Sequence, residues 1–172
     1  MDGMSTETFD PAELLNVRVA LPAGFEIDTD HSRLDLAKVH DWLSTDAFWA
    51  LGRSSDVVSR AAAASVNFGV YGADGVQLGY ARVFTDGVTF GWLCDVYIAR
   101  EARGRGLGTA LSKVIVDAVR PLGLKRFMLS TLDAHELYAK AGFVPFPDPQ
   151  KLMVLDGDDA GGAAPVLPGV RM

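Results

Sequence analysis

The sequence predicts a mixed α/β domain whose sheet is mostly antiparallel with one parallel pair. Three observations carry this. First, the apolar runs "SVNFGVY", "VQLGYARVF" and "VTFGWLCDVYI" follow one another across "GADG" and "TDG". Asp-Gly between strand-like runs is a hairpin signal, because both central positions tolerate positive φ. Second, an amphipathic pattern over 107–119 separates the last of these runs from "LKRFMLST", and a strand–helix–strand unit pairs its strands in parallel. Third, 172 residues with 49% hydrophobic and 22% charged content suit one packed domain and neither a disordered chain nor two domains.

Taken in order, residues 1–22 lack clear periodicity and read as a flexible N-terminal arm. "GFEIDTD" reads as a first strand with Phe25 and Ile27 on one face. In "SRLDLAKVHDWLS", Leu36, Val39, His40 and Leu43 recur at helical spacing, so His40 falls on an apolar stripe and reads as packing. A second helix is expected within 54–64, capped by Ser54 or Ser55. The three-strand meander follows, ending at 88–98. Leu107, Leu111, Val114, Ile115, Ala118 and Val119 mark the buried face of the next helix, which Pro121 and Gly123 end. A strand at 124–130 and a helix at about 133–141, stopped by Gly142, complete the series. "FVPF" and "KLMVL" are expected as short final strands, and 156–172 as a Gly/Ala/Pro-rich flexible tail. The compact domain is therefore placed at 23–155.

Charge and cysteine usage narrow the function classes. A net charge of -6 argues against a general nucleic-acid binder, which needs a broad basic face. The single cysteine, Cys94, fits a reducing compartment. The first twenty residues are acidic without a continuous apolar core, and no run approaches a bilayer span of about 18 residues. A soluble cytoplasmic protein, with no membrane partner, is expected. Three scattered histidines without ligand spacing predict no metal site.

Against that acidic background, "REARGRGLGTAL" stands out, with Arg100, Arg103 and Arg105 interleaved with Gly104, Gly106 and Gly108 where a strand becomes a helix. A Walker A loop is excluded, because the Gly-Lys-Ser/Thr ending is missing. A dinucleotide fingerprint is excluded too, since Thr109 stands after Gly108 and no acidic residue follows at the required distance. What remains is Arg-x-x-Gly-x-Gly, or else glycines serving only a tight turn. The first N–H groups of a helix lack internal partners and carry partial positive charge. Residues without side chains let a pyrophosphate reach them. Gly104, Arg105, Gly106, Leu107, Gly108 and Thr109, with Arg103, are thus the candidate anion cradle.

"LCDVYIAREARGRGLGTAL" resembles the acyl-CoA-binding motif of the GNAT superfamily of N-acyltransferases, and "DAHELYAKAGF" is similar to that family's closing helix. The element order over roughly 24–155 agrees with the family fold. "DWLSTDAFWALGR" further resembles a bacterial subgroup of the family. The resemblance implies a GNAT-like fold, acetyl-CoA as acyl donor, and an amine acceptor, with a homodimer left open. It implies that the main chain of Val96, Tyr97 and Ile98 holds the pantetheine arm beside a splayed parallel strand. It also implies that the Tyr138 hydroxyl faces the thioester sulfur as the acid for the departing thiolate. Where the family often has asparagine, this chain has Thr131, whose hydroxyl can cap the helix or bond the cofactor.

Attack of an amine on a thioester also needs a route for the amine's proton, since the model lysine pKa is about 10.4. Asp95 is one base candidate, its pKa rising if buried; the competing reading is a structural carboxylate. Tyr138 likewise reads as an acid or as a helix anchor. His135 lies three residues before Tyr138 on nearly the same helical face, and reads as a proton relay or a surface group; water alone is a further route. Cys94 has no neighbouring partner to activate it, so a covalent route is set aside. Trp42, Phe48, Trp49 and Arg53 cluster in the early helical region. They read as core, or as a cleft wall for an aromatic amine with Arg53 pairing a carboxylate. The alternative to an enzyme is a non-catalytic acyl-CoA sensor or interaction module on the same scaffold.

Overall fold

The computed structural model describes residues 10–155. Six strands form one sheet in sequential order: β1 (Arg18–Ala20), β2 (Glu26–Asp28), β3 (Val66–Tyr71), β4 (Gln77–Thr85), β5 (Phe90–Ile98) and β6 (Arg126–Leu129). The first five pair antiparallel; β5 and β6 pair parallel. Five α-helices accompany them: α1 (Pro11–Leu14), α2 (Leu36–Thr45), α3 (Ser55–Ala63), α4 (Leu107–Val119) and α5 (His135–Ala139).

Local chemistry accounts for the boundaries. Asp35 opens α2 by accepting from Lys38 N, and Ser54 opens α3 by accepting from Val57 N, each satisfying a donor the helix leaves free. In the β4–β5 hairpin, Asp86 Oδ1 accepts from the N–H groups of Val88, Thr89 and Phe90. These bonds, with the Thr89 hydroxyl first, hold its carboxyl well below the usual carboxylate range. Every residue of β3 is buried, so the centre of the sheet is covered on both faces. Ile27, Val39, Phe68, Val70, Ala81, Val83, Leu111 and Ile115 are fully buried and form the heart of one core.

The structure departs from the sequence reading at both ends. Residues 11–20, read as part of the arm, form α1 and the edge strand β1. Val17 and Thr29 are joined by three hydrogen bonds, and Arg18 pairs with Glu26 at 2.8 Å. Three residues are too few to show periodicity. At the other end, "FVPF" and "KLMVL" form no strand among the described residues. Pro145, Pro147 and Pro149 alternate there, and a proline cannot donate to a ladder. Helix α5 is also shorter than read, five residues ending at Ala139. Residues 1–9 and the 156–172 tail lie outside the described residues.

Candidate functional site

Two irregularities in β5 create the site. Tyr97 pairs with Tyr80 and Cys94 with Arg82, so Ala81 faces both Asp95 and Val96 in a bulge. Asp95 takes a positive φ of 52° there, a region aspartate tolerates better than most residues. Then β6 pairs with β5 only from Phe90 to Leu93 and ends at Leu129. The second half of β5 therefore has no neighbour on that side. Ala99 N donates to Leu78 O. In an antiparallel ladder the next hydrogen-bonded pair is Tyr97 with Tyr80, and the peptide groups of Ile98 point the opposite way, into the gap. Among the three main-chain candidates, Ile98 thus faces the opening, Val96 sits on the bulge, and Tyr97 is turned to β4. The Ile98 carbonyl accepts from Arg103 Nε at 2.9 Å.

The cradle lies just beyond. Gly104 and Gly106 have φ near +77° and +76°, and a Cβ added at either would meet nothing within 4 Å. Gly106 caps α4 in a left-handed conformation without any side-chain cap. None of the N–H groups of residues 104–109 donates to a protein acceptor among the described residues. Leu107 drives its side chain into the core, which fixes the first turn. Gly108 packs against α5, with Leu137 Cδ1 3.0 Å from the place of a Cβ. The bend is unplugged and its donors are open, as an anion site requires.

The arginines divide. Arg100 and Arg103 both bind Asp46, at the C-terminal end of α2, and Arg103 lies 5.2 Å over the Tyr97 ring. Tyr97 Oη donates to the same carboxylate at 2.6 Å. Arg100 first, then Tyr97, hold the Asp46 carboxyl well below its usual range. Burial, then Asp46, pushes the Tyr97 phenol up to about 12. Arg105 makes no ion pair among the described residues and stacks over Phe25. Asp46 was not legible as a site residue, since its partners lie 51 to 57 positions away.

Below the gap opens a cavity of about 620 Å³, within the usual size of small-molecule sites. Phe48 and Trp49, packed edge to face at 5.1 Å, and Phe90 and Trp92, stacked at 6.4 Å, line it with Phe84. Trp42 instead is core, stacked on Tyr97. Asp95 Oδ2 accepts from Arg53 Nη1 at 2.8 Å and Arg82 Nε at 2.7 Å, and all three line the cavity. Burial alone would raise the Asp95 carboxyl, but the two guanidiniums outweigh it and its pKa is lowered. The expectation of a raised pKa is thereby corrected. His40 bonds the Arg53 carbonyl at 3.1 Å, which positions that arginine from α2.

Tyr138 lines the same cavity, half-buried against Phe143. Burial first, then the nearby Asp133, pushes its phenol up to about 12. Asp133 also lines the cavity, is exposed, and makes no ion pair among the described residues. Sequence reasoning missed it and Arg82, for want of any local motif. Thr131 Oγ1 accepts from Ala134 N at 3.0 Å, bracing the turn into α5. His135 is exposed and does not line the cavity. Burial pushes the Cys94 thiol up, opposite to what an attacking thiolate needs. Among the described residues no cluster of three His, Cys, Asp or Glu side chains could hold a metal, and no helix is long and apolar enough to cross a membrane.

A bulged strand thus parts from its parallel neighbour beside an open, glycine-lined helix start, and comparison with known proteins shows the family. The profile of the Acetyltransferase (GNAT) family matches residues 36–143. A candidate acetyltransferase of Gibberella zeae is 32% identical over 133 residues, 66% of this chain and 75% of that protein. The crystal structure of a candidate GNAT-family acetyltransferase from Xanthomonas campestris pv. campestris is 41% identical. It superposes with a TM-score of 0.73 over 77% of this chain and 93% of that one. A Mycobacterium tuberculosis protein crystallised with CoA shares the fold at 18% identity and a TM-score of 0.59, over 70% of this chain and 72% of that one. The chain belongs to the GNAT acetyltransferase family.

Proposed function

We propose that the protein transfers an acetyl group from acetyl-CoA to a primary amine by direct attack on the thioester. The observation that carries this is the row of unbonded N–H groups at 104–109, opening α4 beside the gap between β5 and β6. A pyrophosphate would rest on those amides, helped by Arg105, while the pantetheine arm runs along the free side of β5 toward Ile98 and Val96. The thioester then reaches the bulge, at the mouth of the aromatic cavity.

The acceptor nitrogen attacks the carbonyl carbon; a C–N bond forms and the C–S bond breaks. The nitrogen loses one proton and the sulfur gains one. Tyr138 donates a hydrogen bond to the departing sulfur. A phenol near 12 is a weaker acid than a thiol at about 8.5, so full transfer from Tyr138 is uphill. Its role is to stabilise developing negative charge, with the net proton supplied from the nitrogen through solvent. Asp133, exposed in the cavity lining, attracts the incoming ammonium. Asp95, locked by two arginines, supports an anchoring role over that of a base.

Titration calorimetry with acetyl-CoA tests the reading. Binding should be saturable, and Arg105→Glu should weaken it about 10-fold by placing like charge beside the pyrophosphate. The commitment of Asp95 to arginines also favours one second reading, a non-catalytic acyl-CoA sensor. A thiol-release assay across a panel of amines separates the two, since a sensor binds the donor and releases no thiol.

A further inference from the structure

Resting on the acetyltransferase reading, the cavity's own chemistry narrows the acceptor. Arg53 and Arg82 both pair with one oxygen of Asp95, so two positive charges face a single negative one. The carboxylate is nearly sealed, its side chain 4% exposed, while those of Arg53 and Arg82 keep 23% and 17%. The face of the triad that a ligand meets is therefore cationic. Each guanidinium carries five donors. Among the described residues, Arg53 uses its side chain only on Asp95, and Arg82 adds only Ser65 Oγ at 3.3 Å. The floor has donors to spare and needs an acceptor oxygen to meet them.

The walls above that floor are aromatic: Phe48, Trp49, Phe90 and Trp92. Asp133 lines the same cavity beside Tyr138 and is the negative charge there that no arginine holds among the described residues. A carboxylate would be drawn to the arginines, the amine on the adjacent carbon would turn toward Tyr138 and Asp133, and an apolar ring would lie against the aromatic walls. We infer that the acceptor is an aromatic amino acid, acetylated on its amine, with its carboxylate held by Arg53 and Arg82. The arginine pair is planar and multidentate, the form suited to a carboxylate. Asp95 holds both guanidiniums in place through a residue whose backbone is itself fixed by the bulge.

The experiment compares kcat/KM for L-phenylalanine and L-tryptophan with their decarboxylated amines and with L-alanine, at fixed acetyl-CoA. Binding of L-phenylalanine is followed in parallel by tryptophan fluorescence, with and without CoA. The aromatic amino acids should exceed both comparisons by about 10- to 100-fold, over the decarboxylated amines from the charge-assisted hydrogen bond those lack and over L-alanine from the ring the walls bury. Arg53→Met should collapse the preference over the decarboxylated amines to within about twofold, and Arg53→Lys should restore part of it. Equal or better turnover of the decarboxylated amines, or of L-alanine, overturns the assignment while leaving the acetyltransferase reading intact. Absence of saturable L-phenylalanine binding both with and without CoA also overturns it. Failure of acetyl-CoA itself to bind sinks the underlying reading instead. The wild-type panel stands by itself should the Arg53 variants not fold.

Discussion

The Tyr97 hydroxyl donates to Asp46 Oδ2 at 2.6 Å, tying the strand beneath the gap to the end of α2. The same carboxylate receives Arg100 and Arg103 from the segment leading into the cradle. One acidic side chain thus connects α2, the bulged strand and the segment leading into the glycine bend.

That arrangement predicts a pH-dependent contribution to stability. The Asp46 carboxyl is lowered in the folded state, so its contribution is fully present above the unfolded value of about 3.9 and is lost as pH falls through the folded one. Asp46→Asn should melt below wild type at pH 7. The gap should narrow once the pH drops below about 4. Thermal melts from pH 7 to 3 measure it, and a gap independent of pH would contradict the role.

Removing the phenol should separate chemistry from binding. Tyr138→Phe is expected to lower kcat by about 10²-fold or more, the scale of one hydrogen-bond donor aimed at developing charge, with acetyl-CoA affinity nearly unchanged. With the phenol at about 12, Tyr138 stays protonated to beyond pH 10. The wild-type rate should therefore show no alkaline loss from this group below that pH.

Asp95→Asn distinguishes anchor from base. As the partner of two part-buried arginines, Asp95 should cost about 3 kcal/mol or more in urea unfolding when neutralised, because like charges are left together. A base would give the reverse pattern, intact stability with turnover lost.

For the core, Leu111→Ala on the fully buried face of α4 should destabilise by about 3 kcal/mol. Chemical denaturation measures it. A loss under about 1 kcal/mol would mean that the face repacks freely.

The meander and α4 were legible because their signals are local. Asp-Gly turns, a cap at Ser54 and an apolar stripe over 107–119 each need only a few neighbouring residues. The open glycine bend was legible for the same reason, since missing side chains are visible in the sequence itself. Asp46 with Tyr97, Arg53 with Asp95, and Arg82 with Ser65 were not, since such pairs join residues distant along the chain and leave no period. Burial of Asp95 suggested a raised pKa until its arginines were in place. The strand β1 leaves no signal because three residues paired at an edge carry too little pattern, and at 143–155 the alternating prolines outweigh the apolar content that suggests strands.

The early end of β6 has one more consequence. Bare strand edges usually sit at the rim of a sheet, where a neighbouring molecule can dock its own backbone and seed aggregation. Here the bare edge is recessed in a wedge between two strands still joined at Phe90–Leu93. The outer rim beyond β2 is left to β1, three residues long and bearing Arg18. The fold thus keeps these unpaired peptide groups in a recess rather than along an open rim.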